Sequence, residues 1–477
     1  DTENHWCLYY SCLFLAAEQW PGLAGTEWFN GRSSEENFRE AREYLLHWID
    51  LTTTIGQGEF DSPTYLPEYV IPMILLGQFA QDRAIGDRAL MMTDYLLADF
   101  AVDHLDGMYL GGFSREGATS VYMPRTAPAS AFAYLYFGAG EPVASSWCVF
   151  PALSTYRLPD VIRRIALDRS KPYVSRERKR VRHIIRYGSE RNPPVYKYTY
   201  ATRWYGLSSL QGGILQPIQQ HTWSVRFPGA KPFSTVFGLH PWWSGRELAM
   251  FFPEQEKVLT ADVVRSKGTY DRDTKWTGSS PFERTFQYRN TLVALYDIPP
   301  GERSGHIDLF FPKTLDLRIH DSSGWVFCRA GETFIAVYPL QPGRWMTLPE
   351  DDGNHRFRSD SLRNGYVVEV RSAREAGSFS AFMVRCRGHI PVFSPSETAP
   401  TVVYRRLEGE EMVFRFPEDR RLNGETVDLS RTPLFDSPFL QAEVGSRTLL
   451  IRHGGTSHFL DFRNGTITET FMGGRKR

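Results

Sequence analysis

Apolar residues recur at helical spacing through the first third of the chain, then at alternate positions from about residue 194 onward. Residues 4–20 read as a helix, stopped by Pro21-Gly22. Ser33 and Glu36 have capping-box spacing ahead of a second helix carrying Phe38, Ala41, Tyr44, Leu45, Trp48 and Ile49. A polar loop with two glycines, residues 56–62, leads to a third helix predicted from Pro63. A fourth helix covers roughly residues 83–104, and shorter ones fall at 129–137 and 160–168. Long antiparallel helices joined by polar loops predict an α/α bundle or toroid. They are too few for a complete toroid, so sequence is expected to be missing at the N-terminus.

Beyond Pro194, short β-like runs recur at 195–200, 222–227, 248–252, 291–296, 325–328, 333–338, 366–370, 380–384, 402–405 and 448–451. Turn signals such as Pro299-Pro300-Gly301 and Arg363-Asn364-Gly365 separate them. The pattern predicts stacked antiparallel sheets. The fold class is therefore α+β and multidomain. An incomplete α/α toroid is expected over 1–190, a large antiparallel β-sandwich over 191–400 and a small β domain over 401–477.

Composition adds limits. The 477 residues carry zero formal net charge, so no overall field points to nucleic acid or to a membrane surface. No run of about 18 apolar residues appears, so no transmembrane helix is predicted, and no signal peptide is visible. The five cysteines are scattered, and no His, Cys or Asp cluster has ligand spacing, so neither metal nor cofactor is expected. The basic stretch 171–194 is expected to be a solvated surface, or alternatively the lining of a polyanion site. Asn192-Pro193-Pro194 then marks a domain boundary.

Candidate chemistry begins at the first helix. Asn4 and His5 sit side by side at its start, where free N–H groups and a partial positive charge suit an anion. Thr2 or Asn4 as an ordinary cap, with His5 in solvent, is the alternative. Tyr65 follows the loop that contains Glu59 and Asp61, and His221 opens the first β-like runs. Tyr200, Arg203, Trp204 and Tyr205 form the densest polar and aromatic cluster. Arg pairs with carboxylates, and rings such as these and Trp28 stack on sugars; interface packing is the competing explanation.

Asn4-His5, then Tyr65, then His221, in this order and at this spacing, give a chain that resembles the toroid polysaccharide lyases, which include heparinase II/III-like, oligoalginate and alginate lyases. The resemblance implies β-elimination on an acidic poly- or oligosaccharide and a secreted or periplasmic location. It implies catalytic roles for Asn4, His5, Tyr65 and His221. Substrate contacts are expected from Trp28, Glu59, Asp61, Tyr200, Arg203, Trp204 and Tyr205. The extra His and Asp residues of the zinc-bearing members do not follow His221, where Thr222-Trp223-Ser224 stands instead. A glycoside hydrolase using Glu59 and Asp61 on the same scaffold is the first alternative. A non-catalytic glycan-binding protein is the second.

Overall fold

The computed structural model describes residues 2–181, 194–212, 220–229, 232–243, 272–396 and 398–471. Four long helices open it: α1 (Glu3–Gln19), α2 (Ser34–Ile55), α3 (Pro67–Phe79) and α4 (Arg83–Val102). The capping box at Ser33 and Glu36 forms as read. The third helix starts at Pro67 rather than Pro63. Residues 62–66 close a turn first, with Leu66 N–H bonded to Ser62 O at 3.0 Å. Pro67, lacking an N–H, then suits the first helical turn. Tyr65 therefore lies in the turn before the helix and not inside it.

The helices cover one part of a 13-stranded antiparallel sheet. Tyr10, Trp48, Tyr69, Leu97 and Phe100 share a core with Tyr173, Phe435, Leu449 and Leu460 of that sheet. Farther along, Leu207, Trp223 and Leu309 of the same sheet pack on Leu292, Tyr296 and Val368 of a six-stranded sheet. The other face of the six-stranded sheet buries Val293, Leu295 and Val367 against helix Phe379–Arg387 and a five-stranded sheet. Covering on both faces explains why Thr291–Asp297 is a nearly continuous apolar run instead of an alternating one.

The domain boundaries read from the sequence need two corrections. Strand Tyr173–Arg180 pairs with Pro194–Ala201, so the large sheet begins before Pro194. Residues 401–477 do not form one unit. Strands from Val392–Ser394 to Glu425–Thr426 make the five-stranded sheet, whereas Phe435–Asp436 pairs back onto Tyr173–Arg180 and the remaining strands extend the large sheet. Sheet pairing across more than 250 residues leaves no local mark in a sequence.

The basic stretch is likewise not a solvated surface throughout. Lys179 and Arg180 are buried, while Arg176, on the face opposite Lys179, is exposed. Arg182, Arg186 and Arg191 lie outside the described residues, as does the β-like run 248–252.

Candidate functional site

Two loops and the stretch that leads into strand Trp223–Arg226 build the site. Phe60 O accepts from Ser114 N (3.2 Å) and Ser114 Oγ (2.8 Å), and Ser62 Oγ donates to Arg115 O at 2.7 Å. Phe113 and His221 exchange backbone hydrogen bonds at 2.9 and 3.0 Å. The 59–65 loop, the 113–116 segment and the stretch carrying His221, just before strand Trp223–Arg226, are thus laced together.

Arg115 is the centre of the arrangement. Its Nη1 lies 3.0 Å from Glu59 Oε1, 3.2 Å from Thr2 Oγ1 and 3.3 Å from Asn4 Oδ1. Its guanidinium carbon stands 4.2 Å from the Tyr65 ring centroid. Glu59 Oε2 accepts from Asn4 N and from Tyr69 OH, both at 2.9 Å. The anion at the start of α1 is therefore supplied by the protein itself. Thr2 occupies the cap position without capping; its hydroxyl bonds Asn4 Oδ1 and lies 3.3 Å from His5 Nδ1. Asn4 is buried and its amide donates to Glu68, whose carboxyl is pushed up by burial. His5 is exposed at the rim.

A second, buried layer lies behind. The His221 imidazole stacks on Phe113 and meets Phe237 edge-on. Burial, then the Arg226 charge, pull it down to about 3, so the ring is neutral across the physiological range. Among the described residues its Nε2 has no hydrogen-bond partner. Burial also lowers Arg226, to about 9; among the described residues only its Nη1 is bonded, to Tyr109 O. Glu116 Oε1 accepts from Thr64 Oγ1 (2.6 Å) and Gly117 N (2.7 Å), and burial pushes this carboxyl up to about 7.

Asp61 belongs to a separate centre under the same loop. Asp61, Asp99, Asp103 and Glu177 place carboxylate oxygens within 4.8 Å of one another. This corrects the expectation that no cluster has ligand spacing, since these residues are scattered over 117 positions (61 to 177) and meet only through folding. Two ammonium groups already serve them. Lys179 Nζ lies 2.5 Å from Asp99, 2.7 Å from Glu177 and 3.2 Å from Asp61, and Lys197 Nζ lies 2.8 Å from Asp61 and also pairs with Asp103. Burial works to raise Asp61, but the two lysines outweigh it and hold the carboxyl below its usual range. Burial, with the Glu177 charge, pushes Asp103 up to about 7. The centre is filled by the protein's own cations and is a poor metal site.

Four predicted substrate residues lie elsewhere. Residues 202–205 turn the hairpin between Pro194–Ala201 and Gly206–Gly212. His221 lies at the other end of that strand, near Leu210, whose N–H bonds Thr222 O. Five residues of strand separate the two ends by ~16 Å. Tyr205 OH bonds Glu375 at 3.1 Å and accepts from Asn290 at 3.2 Å, and Tyr200 and Trp204 pack on the core between the two larger sheets. Arg203 lies over Trp204. This strip seals a sheet interface. Trp28 ties the α1–α2 connection through Ser34 Oγ at 3.2 Å. Tyr200, Trp204, Tyr205 and Trp28 are thus engaged in packing or hydrogen bonds away from Tyr65, while Arg203 is exposed.

Arg115, Glu116, Glu68 and Arg226 escaped the sequence reading. The usable signal was an Arg-Glu pair inside the long loop after Gly111-Gly112, because long loops in compact domains often carry function. No protein-family model matches the chain, and no curated protein or solved structure matches it either. Among the described residues no helix is long and apolar enough to cross a membrane.

Proposed function

We propose that this chain is a lyase that cleaves uronic-acid-containing poly- or oligosaccharides by β-elimination, on an incomplete α/α toroid joined to β-sandwich layers, outside the cytoplasm. One observation carries the reading. A single guanidinium, that of Arg115, touches Tyr65, Asn4 and Glu59, in a segment bonded through Phe113 to His221.

The chemistry follows from what a uronate requires. Its carboxylate must be neutralised so that negative charge can build at C5. The neutral His221 ring, buried behind the site, can donate an N–H to that carboxylate once the covering loops open, and the Asn4 amide can do so once released from Glu68. Tyr65 or His5 takes the C5 proton. The electron pair left behind forms the C4–C5 double bond, the C4–O4 bond breaks, and Tyr65 delivers a proton to O4. The Arg115 charge beside the phenol favours any anionic form of Tyr65.

The hydrolase alternative is less well supported. It needs one carboxyl with a raised pKa and a second one free to act on water or sugar. Glu59 is engaged by Arg115, Asn4 and Tyr69, and Asp61 is held ionised between two lysines.

The test is ultraviolet absorbance from the unsaturated product on a panel of uronate polymers, with Tyr65→Phe alongside. Tyr65→Phe should abolish turnover and leave folding intact. A fully active Tyr65→Phe protein overturns the mechanism. Cleavage without absorbance identifies a hydrolase, and binding without cleavage identifies a glycan-binding protein.

A further inference from the structure

A cleft lies on the face of the large sheet turned away from the helices. Along strand Pro194–Ala201, Lys197 points toward Asp61 and Asp103, so its neighbours Tyr196 and Tyr198 point the other way. They line a cavity of about 650 Å³ between the large sheet, edge strand Glu283–Tyr288 and the connection after Asp419–Leu422. That volume falls in the range of small-ligand sites, about 300–1,000 Å³.

The lining has a consistent chemistry. Tyr196, Tyr198 and Tyr288 are each partly exposed in it. Tyr198 OH accepts the Arg289 N–H at 3.0 Å, which fixes the ring. Arg289 and Arg452 are exposed on the lining, and the Arg176–Asp436 pair forms part of one wall. Gln211 stands opposite Tyr196 on the next strand. It is 3% exposed, and its Oε1 has no hydrogen-bond partner among the described residues. A buried amide oxygen without a donor is costly unless something supplies one. A ligand that suits this lining has flat apolar faces for the rings, a hydroxyl for Gln211 and anionic groups for the arginines.

We infer that this cleft binds a short run of uronic acid residues without cutting it, as a holding site on the opposite side of the sheet from Tyr65. The choice of a uronate as ligand rests on the lyase reading; the existence of the site does not. An acidic sugar satisfies all three demands at once. Asp428 does not compete for the arginines of the cleft, because it caps Ser430 and pairs with Arg431.

The experiment is calorimetry with hexasaccharides of polymannuronate and polygalacturonate on the full chain carrying Tyr65→Phe, which stops turnover. Two binding events are expected for one of the probes. Adding Arg289→Ala with Arg452→Ala should weaken one event by about tenfold or more and leave the other unchanged. Tyr196→Ala should act on the same event. In the protein with Tyr65 intact, the cleft substitutions should leave kcat on a hexasaccharide unchanged. A single event insensitive to these substitutions, or no binding of either probe, overturns the cleft. Equal binding of neutral cellohexaose, or tighter binding of ATP at the same residues, overturns the uronate assignment. If Tyr65-intact protein yields no ultraviolet-absorbing product while the cleft event persists, the cleft stands and the lyase reading falls.

Discussion

The guanidinium carbon of Arg115 lies 4.2 Å from the centroid of the Tyr65 ring, although 50 residues separate them in the chain (115 less 65). The contact places a fixed positive charge on the one hydroxyl-bearing ring assigned to proton transfer. Arg115→Gln should lower kcat by about 100-fold, in line with removal of one preorganised charge-stabilising donor. Arg115→Lys keeps the charge but loses the planar fork, so it should recover only part of that loss. Initial rates by product absorbance, with a thermal melt to check folding, decide it. Full activity in Arg115→Gln removes Arg115 from the site.

His221 should not titrate near neutrality. Its pKa of about 3 reflects burial first and the Arg226 charge second. The imidazole carbon resonances followed by NMR should stay flat between pH 5 and 8. A midpoint near the ordinary value of about 6.5 would mean that the ring is hydrated or paired, and would refute the dry, unpaired setting assigned to it.

Lys197→Met should be severely destabilising. It keeps the length of the side chain but leaves Asp61 with Lys179 alone and Asp103, among the described residues, with no ammonium partner. Breaking a buried charge pair on one side costs about 3–5 kcal/mol. Urea unfolding followed by fluorescence measures it. The same filling of the centre by lysines predicts that activity survives a chelator. Loss of activity that a divalent cation restores would contradict it.

His458 joins the sheet to α4, with Nε2 2.9 Å from Asp94 and Nδ1 3.0 Å from Glu469. Burial works to lower its pKa, but the two carboxylates outweigh that and raise it. A raised histidine stabilises the fold fully below its unfolded pKa of about 6.5, and the contribution is lost as pH rises through the higher folded value. His458→Gln should therefore cost roughly 1–3 kcal/mol at pH 6 and less at pH 9. Thermal melts of both proteins across that range check the sign; a penalty that grows with pH refutes it.

Glu116→Gln should stabilise the protein at pH 8 relative to pH 4. Burial raises the Glu116 pKa from 4.5 to about 7. A raised carboxyl loses stability as pH climbs from the unfolded to the folded value, here on the order of 3 kcal/mol, and stays flat above it. The neutral amide removes that dependence. Paired unfolding curves at pH 4 and 8 that show no difference between the two proteins would place Glu116 in a hydrated site.

Periodicity alone determined the helical first third, the Ser33 capping box, the change to strands and the mixed helix-and-sheet class. Those features depend on residues a few positions apart, where propensity and burial act locally. Asn4, Tyr65 and His221 also carried enough residue chemistry to be singled out in the sequence. Only the tertiary structure decided what surrounds them. Arg115 reaches Tyr65 because Ser62 and Ser114 lace two loops together. Asp61 meets Lys179 and Lys197 because two adjacent strands place both side chains on one face. Tyr205 and Trp204, which looked suited to a sugar, seal the space between two sheets that residues 283–372 bring against them. A charged or aromatic side chain carries its chemistry in its identity, but its partner, its burial and hence its protonation state are set by residues that only the fold brings near.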